Sequence, residues 1–194
     1  MDITLTNKGL DAVLRSRMDE NEEKRYDIYN TTYGNRDYLF DKNTIPMGGG
    51  NGGFGYEIPP EALTDERFAN MIREAEKYLG YPYVWGGSSP DTSFDCSGYI
   101  CWVYTRSGVY HLSRTTAQGI YDQCAIVSRE EARPGDLVFF TGTYASAGAV
   151  SHVGIYVGGS RMLHCGSPIG YADLTSPYWN SHLYAFGRLA TIPE

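Results

Sequence analysis

The chain has 194 residues, of which 42% are apolar and 20% charged, so it can bury one good core but not two of ordinary size. Its formal net charge is −7 at pH 7, and its 16 lysine and arginine residues form no basic run, which argues against nucleic acid or an anionic membrane surface as the main partner. No apolar stretch approaches the roughly 18 to 20 residues that a transmembrane segment needs.

The amino-terminal third of the chain is predicted to be an appendage followed by a linker. Apolar residues at near-helical spacing predict a lone amphipathic helix over residues 9–26. Residues 48–58 are rich in glycine, which is typical of a flexible linker. Because residues 1–47 are too few and too polar to fold alone, we expect them to be the edge of a larger protein.

The compact domain, residues 59–194, is predicted to open with a helix. Thr64 is the predicted cap of this helix, and two acidic residues follow it, as the positive amino end of a helix favours. Gly80 fits the left-handed position that ends a helix, and a proline follows two residues later. We expect this helix to pack on the domain and to take no part in chemistry.

A buried central helix is predicted from Cys96 to about Gly108, since the segment is apolar without strict alternation. A shorter helix is predicted over residues 115–122. Strands are then predicted over residues 136–140, 152–157, 161–165 and 184–189. Helices followed by strands indicate an α+β domain with a largely antiparallel sheet.

Cys96 is the candidate nucleophile among four cysteines. A free thiol has a pKa near ~8.5, and both a helix amino terminus and a nearby imidazolium favour the thiolate. Ser97 and Gly98 are small, so the first amides of the helix stay open to a developing oxyanion. The alternative for a lone cysteine is a small buried hydrophobe, and to that class we assign Cys101 and Cys124.

Asp95 directly precedes the nucleophile and would raise the pKa of the thiol by like-charge repulsion. We therefore expect its charge to be turned away from the sulfur. One possibility is that Asp95 caps the helix. The hypothesis we prefer is that it binds a cationic group on the substrate, such as a free amine.

His152 and His164 are the candidate base and its partner, on two strands joined by a hairpin centred on Gly158 and Gly159. Side chains alternate along a strand, so a two-residue loop would turn the two histidines to opposite faces. A three-residue loop would pair Gly154 with His164 and place both histidines on one face as diagonal neighbours. The catalytic interpretation requires that odd loop or an equivalent bulge. Otherwise His152 is a satisfied histidine at a strand end.

On a shared face, His152 would take the proton of Cys96 and later protonate the leaving amine, while His164 would orient the His152 ring. Cys165 would then face the other side of the sheet. A zinc site built from these two histidines and these two cysteines is the alternative, but it has no close CxxC or HxxxH pair and needs ligands from opposite faces. We expect no metal or other cofactor.

Six motifs follow one another between about Phe68 and Arg188. They are Tyr83-Val84-Trp85-Gly86-Gly87, Phe94-Asp95-Cys96-Ser97-Gly98, Arg114-Thr115-Thr116-Ala117-Gln118, Arg133-Pro134-Gly135-Asp136-Leu137-Val138-Phe139-Phe140, His152-Val153-Gly154-Ile155-Tyr156 and Leu163-His164. In this order they resemble the NlpC family of bacterial cell-wall cysteine peptidases, which have a papain-like core. The first 60 residues lie outside the resemblance.

The resemblance implies hydrolysis of an amide bond within peptidoglycan stem peptides, typically the bond from γ-D-glutamyl to the diamino acid. It implies that Cys96, His152 and His164 form the catalytic triad. It also implies that the nucleophile lies at a helix amino terminus, with the amino-terminal helices packed on the sheet.

The same resemblance suggests residues that would contact the substrate. Tyr83 lies beside the nucleophile in relatives, so it is a candidate for oxyanion or substrate contact, and Asp95 and Ser97 would flank the substrate. The loop of residues 141–150 precedes His152 and is expected to rim the cleft. Arg114 would bind a substrate carboxylate or form a structural ion pair.

The expected partner is the peptidoglycan stem peptide, and the expected site of action is the cell wall or the extracellular space. The amino end lacks the basic and apolar regions of a signal peptide, so the export route is not visible in the chain. Two other function classes remain open. One is a related papain-like amidase or acyltransferase; the other is a low-activity binding or structural module of a phage or conjugation apparatus. Trp85, Trp102 and Trp179 would suit a glycan-stacking surface, although packing explains them equally well.

Overall fold

The computed structural model describes residues 14–31 and 56–189. Most of the predicted appendage and of the predicted linker, residues 1–13 and 32–55, therefore lies outside the described residues. The predicted helix of residues 9–26 lies only partly within these ranges: residues 14 and 15 are helical, residues 16–19 are not, and helix α1, Glu20–Thr31, follows. It begins at this point because the Asp19 carboxylate accepts hydrogen bonds from the amides of Asn21 and Glu22. Arg25 joins α1 to the domain by donating to the Leu79 carbonyl at 3.0 Å.

Helix α2, Glu66–Ala75, opens the compact domain and continues into a 3-10 turn at Glu76–Tyr78. Its cap is Asp65 and not Thr64, since the Asp65 carboxylate accepts from the amides of Arg67 and Phe68. The Thr64 hydroxyl donates instead to the backbone carbonyl of Glu61. Gly80 has the predicted left-handed conformation, with φ +82°.

The central helix α3, Cys96–Arg106, begins at Cys96 as predicted and is buried along most of its length. It packs against the strands that carry the two histidines. Helix α4, Ala117–Tyr121, is capped by the Thr116 hydroxyl, and a short helix α5, Pro177–His182, leads into the last strand. Among the described residues, no helix has the length and apolar character that crossing a membrane requires.

Two antiparallel sheets complete the described part of the chain. A two-stranded ribbon is formed by β1, Ser88–Ser89, and β2, Ser93–Phe94. The larger sheet has the strand order β3-β8-β4-β5-β6-β7 and is antiparallel throughout. Its strands are β3, Cys124–Val127; β4, Leu137–Phe140; β5, His152–Gly158; β6, Arg161–Cys165; β7, Ile169–Asp173; and β8, Leu183–Leu189. The predicted α+β class is confirmed, whereas β3 and β7, the two edge strands, were not predicted.

The hairpin between β5 and β6 meets the register condition by a bulge. Gly154 pairs with His164, and the register shifts between Tyr156 and Gly158. The turn itself has two residues, Gly159 and Ser160, with φ values of +55° and +57° that suit a tight hairpin turn. A two-residue turn alone would place the two histidines on opposite faces of the sheet. The extra residue on β5 shifts the register by one, so both histidines lie on the same face.

Candidate active site

The Cys96 thiol lies at the amino terminus of α3 and is almost fully enclosed, with 3% of the residue exposed. Its nearest polar groups are the backbone of Val153 and of Ser97 and the side chain of Tyr83, and each of them lowers its pKa. Burial, followed by the adjacent Asp95 carboxylate, outweighs them and raises the pKa of the thiol to about 12. The resting Cys96 side chain is therefore a neutral thiol and not the thiolate that a helix terminus alone would favour.

The two predicted histidines form a hydrogen-bonded pair. The Nε2 atom of His152 lies 2.9 Å from the Nδ1 atom of His164, and both rings are completely buried. Burial lowers the pKa of His164 to about 3; burial and then His164 hold the pKa of His152 well below its ordinary value. Both imidazoles are therefore neutral at pH 7.

The second ring nitrogen of His152, Nδ1, is buried and makes no hydrogen bond within the described part of the chain. For this nitrogen to accept a proton, the hydrogen must sit on Nε2 and point at His164, which then accepts through Nδ1. The pair thus presents one base nitrogen, on the strand residue next to Val153, whose backbone contacts the Cys96 thiol.

The Asp95 carboxylate accepts hydrogen bonds from four groups of the protein. Its Oδ1 atom accepts from the Gly98 amide at 2.6 Å and from the Ser97 hydroxyl at 2.9 Å. Its Oδ2 atom accepts from the Gly86 amide at 3.1 Å and from the Arg114 guanidinium at 2.5 Å. Asp95 therefore caps α3, and Arg114 forms an ion pair with it, while Ser97 lies between the two charged groups.

Tyr144 interacts electrostatically with Cys96 and packs against Trp85. Trp85 is 59% exposed, and the edge of its ring contacts Tyr144 at a centroid distance of 5.1 Å. Tyr144 belongs to the loop of residues 141–150, and burial together with Cys96 and Asp95 raises its pKa to about 12, which places this loop beside the site as predicted. The loop is held by Gln118, whose side-chain oxygen accepts from the Val150 amide at 3.0 Å.

The remaining cysteines lie apart from the histidine pair. Cys165 donates to the Phe94 carbonyl at 3.1 Å, as expected for a side chain facing away from His164. Cys101 donates to the Ser113 carbonyl and Cys124 to the Ile120 carbonyl, and all four thiols are free. Within the described ranges, no group of three or more potential ligands is close enough to hold a metal ion.

Two site residues escaped the sequence analysis. Trp179, on α5, packs against both histidine rings, and Gly166, after β6, approaches the His164 ring closely. For Trp179 the sequence suggests only glycan stacking or core packing, and neither predicts a contact with the histidines. The chain offered no local signal for either contact, because the partners come together only when the sheet forms.

The neutral histidine pair predicts acid sensitivity. Because the folded state holds both pKa values below the ordinary 6.5, the unfolded chain binds protons first as the pH falls. The contribution of the two histidines to the free energy of unfolding is therefore fully present above pH 6.5. It is lost as the pH falls toward their folded pKa values. Between pH 6.5 and 5, above the range of ordinary carboxylates, each histidine contributes a slope that approaches about 1.4 kcal/mol per pH unit toward pH 5.

Denaturant unfolding at several pH values measures this slope. The variant His164→Gln removes one of the two titrating groups and should flatten the slope by about half. A wild-type free energy of unfolding that does not change between pH 6.5 and 5 would contradict the neutral pair.

Comparison with known proteins gives a consistent set of relatives. The model of the NlpC/P60 family matches residues 80–188. Over 133 residues the chain is 49% identical to the bifunctional muramidase/DL-endopeptidase CwlT of Bacillus subtilis, covering 68% of this chain and 40% of that protein. It is 36% identical over 131 residues to the gamma-DL-glutamyl hydrolase of the same organism, covering 64% and 30%. The chain thus spans less than half the length of these curated relatives.

A solved structure of the same family shares this fold. It is a lipoprotein-like NLP/P60 family protein from Staphylococcus aureus, 50% identical, with a TM-score of 0.64. The match covers 66% of this chain and 43% of that one.

Proposed function

Because this chain belongs to the NlpC/P60 family, we propose that it is a cysteine endopeptidase that hydrolyses an amide bond in the stem peptides of peptidoglycan. The observation that carries the proposal is the geometry around the thiol. Cys96 begins a buried helix next to the backbone of Val153, and the adjacent His152 keeps one base nitrogen free while His164 holds the other.

The reaction begins from a neutral thiol and a neutral imidazole. Cys96 passes its proton to Nδ1 of His152 as the sulfur attacks the substrate carbonyl carbon. The carbon–nitrogen bond then breaks, and His152 returns the proton to the leaving amine. Water, deprotonated by the same nitrogen, attacks the thioester, releases the carboxylate and restores the thiol. Proton transfer and attack are coupled because neither partner is ionised at rest.

The oxyanion that forms during attack needs donors near the sulfur. In the first turn of α3 the Gly98 amide is already bound to Asp95, which leaves the amides before it as candidates. Tyr83 is fully buried, and its side chain hydrogen-bonds to the Cys96 thiol. We assign the oxyanion site to this region.

The bond we propose is the one from γ-D-glutamyl to the diamino acid. The names of two relatives, a DL-endopeptidase and a gamma-DL-glutamyl hydrolase, support this choice. Digestion of defined muropeptides, followed by mass analysis of the fragments, tests it. Cleavage at another amide would favour a related amidase, and no cleavage by the wild-type protein would favour a binding module.

We further propose that the protein acts outside the cytoplasm, on the cell wall. The support is the family and the names of its wall-degrading relatives. Residues 59–194 would be the catalytic unit, and residues 1–47 an appendage joined to it by the glycine-rich residues 48–58.

Asp95 is proposed to bind a free amine of the substrate in addition to capping α3. The substitution Asp95→Asn keeps a cap of the same shape but removes the charge that pairs with Arg114. We expect KM to rise about tenfold for a stem peptide with a free amine, since one charged hydrogen bond contributes roughly 1.5 kcal/mol or more. The N-acetylated peptide should show little change in KM.

The matched control is Asp65→Asn, because Asp65 caps α2 in the same way and lies apart from the nucleophile. Both variants should lose about 1 kcal/mol of stability or less. If Asp95→Asn lowers stability but leaves both KM values unchanged, its role is confined to capping.

A further inference from the structure

We propose that Trp179 is a positioning residue that holds the His152 and His164 rings in the one arrangement that leaves a base nitrogen for the nucleophile. The inference rests on the proposed function and adds a residue to it. Trp179 is completely buried on α5. Its ring stacks on His152 at a centroid distance of 5.3 Å and an interplanar angle of 26°, and it meets His164 edge-on at 5.0 Å.

The histidine pair needs an external orienting group more than a histidine–carboxylate pair does. A carboxylate can accept through either oxygen, whereas neutral His164 offers one acceptor nitrogen, Nδ1. Rotation of either ring by half a turn would replace a nitrogen by a carbon and break the single 2.9 Å hydrogen bond. Packing must therefore set both ring orientations.

Trp179 supplies one wall of that packing and Gly166 supplies another. A Cβ atom at Gly166 would lie 2.6 Å from Cε1 and 3.1 Å from Nε2 of His164. The indole is itself held by Phe140, at a centroid distance of 4.7 Å. Phe140, on β4, also lies against His152 at a centroid distance of 5.8 Å, so Trp179, Phe140 and Gly166 pack around the two imidazoles.

The indole also favours the protonated state of the base. When His152 takes the thiol proton it becomes a cation in a fully buried site, stacked on the negative face of the Trp179 ring. Such a contact acts on the charged state and not on the neutral one. Its loss should therefore lower kcat and leave KM nearly unchanged.

Stability alone does not explain an indole at this position. The Nε1 atom of Trp179 is buried with no hydrogen-bond partner among the described residues. A buried donor without a partner is destabilising, and phenylalanine would fill much of the same space without it. A purely structural role therefore predicts that Trp179→Phe is neutral or stabilising and fully active.

The test compares Trp179→Phe and Trp179→Leu with Trp102→Leu, which removes a half-buried tryptophan that makes no recorded contact with either histidine. On purified stem peptide, we expect Trp179→Leu to lower kcat about 30-fold, the value of a desolvated cation–π contact, with KM within about twofold. Trp179→Phe should lower kcat about threefold to tenfold without loss of stability. Trp102→Leu should change stability and leave kcat of the folded enzyme unchanged.

Long-range proton–nitrogen NMR of the histidine rings gives a readout that does not depend on turnover. The wild type should show single tautomers, with the hydrogen of His152 on Nε2, and Trp179→Leu should show mixed tautomers. If both Trp179 variants keep single tautomers and full kcat, or if KM rises while kcat is kept, the inference is wrong. If the wild type cleaves no peptide, the proposed function fails, and the NMR comparison still decides the role of Trp179.

Discussion

Cys96→Ser is expected to reduce hydrolysis of purified peptidoglycan by at least about a thousandfold, by analogy with the loss of nucleophiles in other hydrolases. Serine has nearly the same shape, so the contacts with Tyr83 and with the Val153 backbone can persist. A hydroxyl, however, is a far weaker acid than a thiol, and neutral His152 cannot ionise it as the thiol is ionised. Mass analysis of released peptides measures the loss, and circular dichroism verifies the fold.

The matched control for this substitution is Cys124→Ser, since Cys124 is a half-buried thiol on the edge strand β3. Its hydrogen bond to the Ile120 carbonyl can be made equally well by a hydroxyl. We expect wild-type activity from this control. If Cys96→Ser stays as active as the control, Cys96 is not the nucleophile.

His152→Ala has the second largest expected effect. It removes the base that must both accept the thiol proton and return it to the leaving amine, so kcat should fall by about 10² to 10⁴. KM should change little, because the ring is completely buried and the thiol rather than the ring meets the substrate carbonyl. Steady-state kinetics on a defined stem peptide separate the two parameters.

His111→Ala is the control, because His111 is exposed and lies outside the histidine pair. It should retain wild-type kcat and KM. Loss of kcat in both variants would point to a general effect on folding. A His152→Ala variant with more than about a tenth of the wild-type kcat would contradict its assignment as the base.

The local chemistry of the site follows from short-range patterns. A helix beginning at Cys96 was predictable because a capping aspartate and small residues precede an apolar run, and the structure confirms that boundary. The family was predictable from the order of the motifs, and the resemblance to it implied that Tyr83 lies beside the thiol. By contrast, the choice of cap between Thr64 and Asp65 was wrong, because neighbouring polar residues compete for the same amides and only the backbone angles distinguish them.

The register between β5 and β6, which places both histidines on one face, could be predicted only in part. Alternation along strands predicted that a bulge or an odd loop was required for His152 and His164 to share a face. It did not predict which of the two would occur, since a one-residue shift at Tyr156 depends on the conformation of the turn. The edge strands β3 and β7 were not predicted because neither carries a strong alternation of apolar and polar residues, and β3 pairs only with the distant strand β8.

Residue order was enough to predict the α+β class, a cysteine at a helix start and a pair of histidines on one hairpin, because these depend on spacing along one helix or one hairpin. Burial and long-range packing set everything that concerns charge and orientation. They keep Cys96 and both histidines neutral, direct the Asp95 carboxylate to Arg114 and to the cap of α3, and bring Trp179 against the histidine rings. The pKa of a group and the contacts of a ring depend on neighbours from several elements, and those neighbours exist only in the folded domain.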